Sequence, residues 1–192
     1  MHSVWQPILE DDLVLIQPLS IEDLDQLYAA ASDPLIWEQH PAKERATREG
    51  FRKFFDEAMA SGCALAIIDR NSQEIIGTSR YHVLDGFSDS IEIGWTFLAH
   101  KYWGGKYNRC VKRLMINHAL QFATDIIFVV DLQNLRSQLA VEKLGAVPIT
   151  EGDLATMRDP LQYQTYRLDR QLWTVSEGQL SSNTGTSIPD LK

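Results

Sequence analysis

The chain has 192 residues, of which 44% are hydrophobic and 23% charged, which suits one globular domain with a sizeable core. Its formal net charge of −8 argues against a general attraction to nucleic acid or anionic lipid, so an anionic ligand has to be held by a local group of basic residues. Apolar runs such as Ile126 to Val130 are far short of the ~20 residues of a membrane helix, and the N-terminal MHSVWQPILEDD has no basic stretch leading into an apolar one, so a cytoplasmic protein with no membrane partner is expected.

In chain order, Leu13 to Leu19 reads as a first strand stopped near Pro18, and Ser20 with Asp23 as a cap for the next element. Ile21, Leu24, Leu27 and Tyr28 make a short amphipathic helix that ends before Pro34. The connection SDPLIWEQHPAKE follows, with Trp37 and His40 between two prolines. A loop tryptophan there either packs on the nearest helix or lines a substrate cleft, and His40 is open in the same way. Thr47 to Ala60 is a second helix, whose Phe51, Phe54 and Phe55 belong to the core. Cys63 to Asp69, Ile75 to Leu84 and Ser90 to Leu98 read as three antiparallel strands joined by polar turns. The last has Ile91, Ile93, Trp95 and Phe97 on one face, with Gly94 marking a bulge.

Gly104-Gly105 breaks the strand pattern. Apolar residues then return at helical spacing as Val111, Leu114, Met115, His118 and Phe122, where His118 suits a core or half-buried place rather than a ligand. The unpaired N–H groups at such a helix start favour a phosphate or pyrophosphate, with Lys106 and Arg109 adding charge. The stretch KYWGGKYNRCVKR, with Lys101, Lys106, Arg109, Lys112 and Arg113, is the basic island of the chain. IIFVV from Ile126 reads as a strand buried on both faces and parallel to the one before, which makes the sheet mixed. Leu135, Leu139 and Leu144 mark the core face of a further helix, and Ala146 to Thr150 with Tyr163 to Leu168 close the sheet as a hairpin. The polar stretch 174–192 reads as a flexible tail after a domain of residues 1–173. Cys63 and Cys110 lack His or Cys neighbours at ligand spacing, so neither a metal site nor a disulfide framework is expected.

This order of elements, with EIGWTFLAHKYWGGKYN and NLRSQLAVEKLGA, resembles the GNAT superfamily of acyl-CoA N-acyltransferases, most closely its branch of RimJ and RimL type (ribosomal-protein alanine N-acetyltransferases), over residues 8 to 172. The resemblance implies an α/β fold of α+β character, a mostly antiparallel mixed sheet of about six to seven strands flanked by about four helices. It implies acetyl-CoA as co-substrate, no metal, and a small-molecule or peptide amine as partner. The family's pyrophosphate loop, Gln/Arg-x-x-Gly-x-Gly/Ala, falls on Trp103 to Asn108. Lys106 and Asn108 stand where the family has its signature small residues, while Gly104, Gly105 and Tyr107 take the variable positions. Lys106 would then supply charge in place of close backbone approach. By the same resemblance, the amides of Leu98 and Ala99 hold the pantetheine arm along a splayed strand, and Asn134 and Ser137 contact the pantetheine and thiol.

The chemistry implied is direct attack of an amine on the thioester. Glu92 is the candidate base, with an exposed strand carboxylate as the alternative. The family's acidic tyrosine falls on Val141, which leaves Ser137 as the candidate to hydrogen-bond the departing sulfur. Trp37, His40, the connection 150–160 and an acidic surface are expected to shape the acceptor site. No serine sits in a nucleophile elbow, and WGGKYN lacks the spacing of a P-loop, which removes a hydrolase and an NTPase. A non-catalytic CoA-binding module stays open as the alternative, as do a structural interaction protein and a homodimer through a sheet edge or the tail.

Overall fold

The polar turns at 70–73 and 85–89 fold three apolar segments back on one another, and in the computed structural model, which describes residues 4–183, they form the centre of an eight-stranded sheet. Its order is β1 (Leu9–Glu10), β2 (Val14–Pro18), β3 (Ala64–Asp69), β4 (Ile75–Val83), β5 (Ser90–Leu98), β6 (Asp125–Asp131), β8 (Tyr163–Asp169) and β7 (Val147–Pro148). Every neighbouring pair is antiparallel except β5 with β6. The sheet is therefore mixed, as the buried run in β6 predicts. The strand beyond the expected set is β1, whose two residues are too short to show any alternation.

Two layers of core cover the sheet. On one face lie α1 (Leu24–Ala31) and α2 (Arg48–Ala60), and the three phenylalanines of α2 pack on Ala64, Ala66 and Phe97. Thr47 caps α2 through its hydroxyl, which accepts from the Gly50 amide at 3.2 Å. On the other face, α3 (Lys106–Ala119) presses Val111, Met115 and Ile116 against Ile91, Ile93 and Phe128. Tyr81 of β4 is fully buried there and donates to the Met115 carbonyl at 2.8 Å. Tyr81→Phe is expected to cost about 1 kcal/mol in chemical denaturation, because the buried carbonyl keeps its helical partner and only the extra bond is lost. A loss near ~3 kcal/mol would instead mean that this hydroxyl anchors α3 by itself.

Four sequence expectations change. The described residues hold six α-helices rather than about four, since α4 (Leu135–Glu142) is joined by the short α5 (Asp153–Thr156) and by α6 (Arg170–Asn183). The final helix, α6, starts inside the expected domain, where Asp169 Oδ1 accepts from the Leu172 amide at 2.8 Å and buried Trp173 donates to Asn117 Oδ1 at 2.6 Å, and it runs on as far as Asn183, into the stretch read as a tail. Residues 184–192 lie outside the described part. Leu135 and Leu139 are exposed rather than core, whereas Leu144 is buried as expected, together with Val141. Phe122 lies beyond the end of α3 and is exposed, edge-on to Trp5.

Candidate active site

The parallel pairing of β5 and β6 runs only from Ser90↔Asp125 to Glu92↔Ile127. Beyond it, β5 continues to Leu98 paired with β4 alone, and β6 continues to Asp131 paired with β8 alone. The two strands thus form a fork whose inner edges are open to a third strand-like chain. A cleft of about 1110 Å³ occupies the fork and the space above it.

A bulge re-aims β5 inside this fork. Thr78 faces Phe97 and Arg80 faces Gly94, so Trp95 and Thr96 together oppose Ser79. Trp95 takes φ of +51°, a strained conformation for a large side chain. It is held by the Arg80 guanidinium, 3.6 Å from its ring centroid, and by His82 at 5.6 Å. The bulge overturns the expectation that four apolar residues share a face. Ile91 and Ile93 pack on the α3 side, while Trp95 and Phe97 pack toward α1 and α2.

Glu92, which alternates with Ile91 and Ile93, therefore lies on the same side as Trp95, at the closed end of the fork. It is 3% exposed and lines the cleft, so it is not a solvated strand carboxylate. Oε2 of Glu92 is buried without a hydrogen-bond partner among the described residues. Burial pushes the carboxyl up to about 7, against the opposing pull of Arg158 and Arg80. The missing side chain of Gly94 makes room for it, since a Cβ there would stand 3.2 Å from Glu92 Oε1.

At the open end, Gly104 takes φ of +67° and Gly105 begins α3 with no side chain capping the first amides. These N–H groups and the positive end of a 14-residue helix face outward for an anion. Gly104, Gly105, Asn108 and Arg109 line the cleft. Lys106 and Tyr107 do not. Lys106 is the exposed first residue of the helix, and Tyr107 turns away to donate to Asp69 Oδ1 at 3.0 Å. Of the two cations expected to add charge here, Arg109 lines the cleft and Lys106 does not. Ala99 is also corrected: its amide donates to the Ile76 carbonyl at 2.8 Å and so faces β4. By strand alternation the neighbouring Leu98 amide points into the fork. The Leu98 carbonyl accepts from Trp103 Nε1 at 2.8 Å.

From the β6 side, α4 brings Asn134, Ser137 and the exposed faces of Leu135 and Leu139 to the cleft. The Asn134 side chain caps α4 by accepting from the Ser137 amide at 3.1 Å. Arg136 lies 4.0 Å from the Trp103 ring centroid and donates to the Ile36 carbonyl at 2.8 Å. Trp103 follows β5 and Arg136 follows β6, so this stack bridges the two arms of the fork.

Trp37 and His40 both line the cleft. Trp37 is also core, with Nε1 donating to the Ala31 carbonyl at 2.8 Å. His40 Nδ1 accepts from the Ala42 amide at 2.9 Å, and burial, with Arg45 nearby, lowers its pKa to about 4. It is neutral at pH 7, with Nε2 lying 3.4 Å from Arg45 Nη1. An acidic surface does not shape the cleft. Its carboxylates are Glu92 and Asp131, outnumbered by Arg45, Arg109, Lys112, Arg136, Lys143 and Arg158. Lys112 reads in the sequence only as part of the basic island, although it falls on the helical face of Met115, Ile116 and Ala119.

Groups of three or more His, Cys, Asp or Glu that could hold a metal are absent among the described residues, and no described helix is long and apolar enough to cross a membrane. Residues 13–147 match the family described as "Acetyltransferase (GNAT) domain". No curated protein matches the chain. Among solved structures it is similar to a GCN5-related N-acetyltransferase from Brucella melitensis, with TM-score 0.77 and 18% identity over 92% of this chain and 85% of that one. A GNAT-family acetyltransferase from Bacillus anthracis gives 0.68 and 17%, over 86% and 99%. Mycobacterium smegmatis RimJ in complex with CoA-disulfide gives 0.67 and 16%, over 95% and 98%. At these identities the likeness is one of fold.

Proposed function

Because the chain belongs to the GNAT acetyltransferase family, we propose that it transfers the acetyl group of acetyl-CoA to a primary amine, by direct attack of that amine on the thioester. The observation that carries this reading is the buried Glu92 carboxylate with an unpartnered oxygen at the closed end of an open-edged fork. An acceptor ammonium would give Oε2 the donor it lacks, and burial brings the carboxylate's basicity close to neutral pH.

The residues present fit the co-substrate. The uncapped start of α3 and Arg109 suit the diphosphate, the Leu98 amide suits the pantetheine arm, and Asn134 and Ser137 close over it from α4. When bound, acetyl-CoA supplies an acetyl group activated as a thioester. Glu92 takes the proton from the amine, whose usual pKa is ~10, and a strand amide at the Trp95–Thr96 bulge receives the negative charge that develops on oxygen. Trp37 and His40 form the acceptor wall, where His40 presents a neutral ring.

The branch of RimJ and RimL type is the reading we favour, supported by the solved CoA-disulfide complex of the mycobacterial protein and by NLRSQLAVEKLGA on α4. The acceptor is then a protein N-terminus or a small amine, and the setting cytoplasmic. Val141 is buried where the family has an acidic tyrosine, which favours as second reading a module that binds CoA without turnover. The deciding experiment is thiol release: purified protein with acetyl-CoA and a panel of peptide and small amines. Release with at least one amine supports transfer, whereas saturable CoA binding with none across the panel supports the module. Arg109→Ala is expected to weaken CoA binding by about tenfold in calorimetry, with a smaller loss at high salt. An unchanged affinity would move the diphosphate off this helix.

A further inference from the structure

A cation lies buried in the floor of the cleft with no anion beside it. Lys112 is 6% exposed and takes the place on α3 that an apolar side chain would fill, among Val111, Met115, Ile116 and Ala119. Its Nζ donates to Thr96 Oγ1 at 2.7 Å, and that hydroxyl in turn meets Ser79 Oγ at 2.7 Å. The nearest ring is Phe128, with its centroid 5.8 Å from Nζ. None of the ion pairs among the described residues includes Lys112. A buried ammonium with one neutral partner is costly unless something else completes its shell.

Its position says what could. Thr96 belongs to the β5 arm of the fork and Phe128 to the β6 arm, one residue past the last rung at Ile127. Lys112 thus reaches the root of the fork from the α3 face, opposite the face that carries Glu92, and it lines the same cleft. A thioester seated between the arms has a base on one side and this amine on the other. On α4 the position of the family's acid is Val141, a hydrocarbon. The remaining candidate there is the Ser137 hydroxyl, which is a far weaker acid than an ammonium and suits a hydrogen bond to the sulfur rather than the gift of a proton.

We propose that Lys112 is the catalytic acid for the leaving thiol, its ammonium giving a proton to the CoA sulfur as the carbon–sulfur bond breaks. This rests on the acetyl-transfer reading above. As the amine nitrogen bonds to the acetyl carbon, the carbon–sulfur electron pair passes to sulfur. Lys112 protonates it and is left as a neutral amine. The acceptor, bound as an ammonium, gives one proton to Glu92 before attack, which passes on to solvent, and the nitrogen of the new amide sheds a second, which restores Lys112 through solvent. The products are an amide and free CoA thiol. Burial lowers Lys112 to about 7, below a thiol's usual ~8.5, so the transfer runs downhill. Thr96 holds the amine in place.

The test is Lys112→Met, which keeps the length and removes the charge. Replacing an uncompensated buried cation by an apolar chain of similar volume leaves folding intact or improves it, which thermal melting checks. Lys112→Gln serves if Met does not fold. With CoA itself bound, calorimetry is expected to give wild-type affinity within about threefold. The ionisation of the bound thiol, read from its ultraviolet thiolate band and its alkylation rate, is expected to give a larger thiolate fraction in the wild type than in the variant below about pH 7, where Lys112 is charged, and to converge above it. The other charged and titratable groups of the cleft, His40, Arg45, Glu92, Tyr102, Arg109, Asp131, Arg136, Lys143, Arg158 and Tyr163, are common to both proteins and cancel. Turnover with acetyl-CoA is expected to fall at least about tenfold. Equal thiol ionisation, or undiminished turnover, in a variant that binds CoA overturns the role of Lys112 and leaves the acetyl-transfer reading standing. Failure of the wild type to bind CoA removes both.

Discussion

Glu92→Gln is expected to lower kcat by roughly 100- to 1,000-fold while leaving CoA affinity unchanged, because it removes the base and keeps the shape of the fork. The pH dependence supplies the sign. Glu92 works as the ionised carboxylate, and its pKa is raised from 4.5 to about 7 by burial, so it sets the rising limb of wild-type kcat/KM, which the variant should lose, while the loss of the Lys112 proton sets the falling limb. Stability should move the other way. Between pH 4.5 and about 7 the folded protein holds a proton that the unfolded chain has released, so the native state loses stability as pH rises through that window. The neutral amide of the variant does not ionise, so Glu92→Gln should give the more heat-resistant protein at pH 8. Melting curves at pH 5 and 8 with pH–rate profiles check both halves together. A variant that is slow but gains nothing at pH 8 would mean that Glu92 is better solvated than its burial implies.

What the sequence shows of this site divides along a physical line. Features set by local chemistry were legible: the cap at Ser20 with Asp23, the phenylalanine face of α2, the glycine loop before α3, and the parallel pairing of the buried run in β6. Features set by register between strands were not. Gly94 pointed to the right part of β5, but the extra residue is placed by what lies opposite Ser79, and its consequence, Phe97 and Ile93 on opposite faces, is invisible to alternation. The same limit hid Ala99, whose amide is spent on Ile76 across the β4 ladder. Leu135 and Leu139 misled for another reason: an apolar helix face facing an empty cleft has the same spacing as one facing a core. The burial of Lys112 was readable, since a lysine in phase with Met115, Ile116 and Ala119 has to be buried. Arg45 and Arg158 reach the cleft from separate loops, which no spacing in the chain reveals.

The outer arm of the fork also explains why one glycine far from the chemistry should matter. Gly77 in β4 pairs with Leu98, and a Cβ added to it would stand 2.1 Å from the Phe97 carbonyl oxygen and 3.0 Å from the Leu98 Cα. Both obstacles are backbone, so no rotamer change relieves them. One strand has to move. β4 is fixed by β3 along its other edge, whereas β5 beyond Glu92 has no bond to β6. The strand that yields is therefore the arm that carries the Leu98 amide and the Trp95–Thr96 bulge. Gly77→Ala is expected to cost about 3 kcal/mol and lower the melting temperature by roughly 6–12 °C. CoA affinity should fall with it even at temperatures where the variant is fully folded. Gly94→Ala is the contrast, because its Cβ would meet the end of a flexible side chain, Glu92 Oε1 at 3.2 Å. It should disturb turnover more than melting. If Gly77→Ala melted with the wild type and bound CoA equally well, β4 would not be the strap that holds the outer arm open.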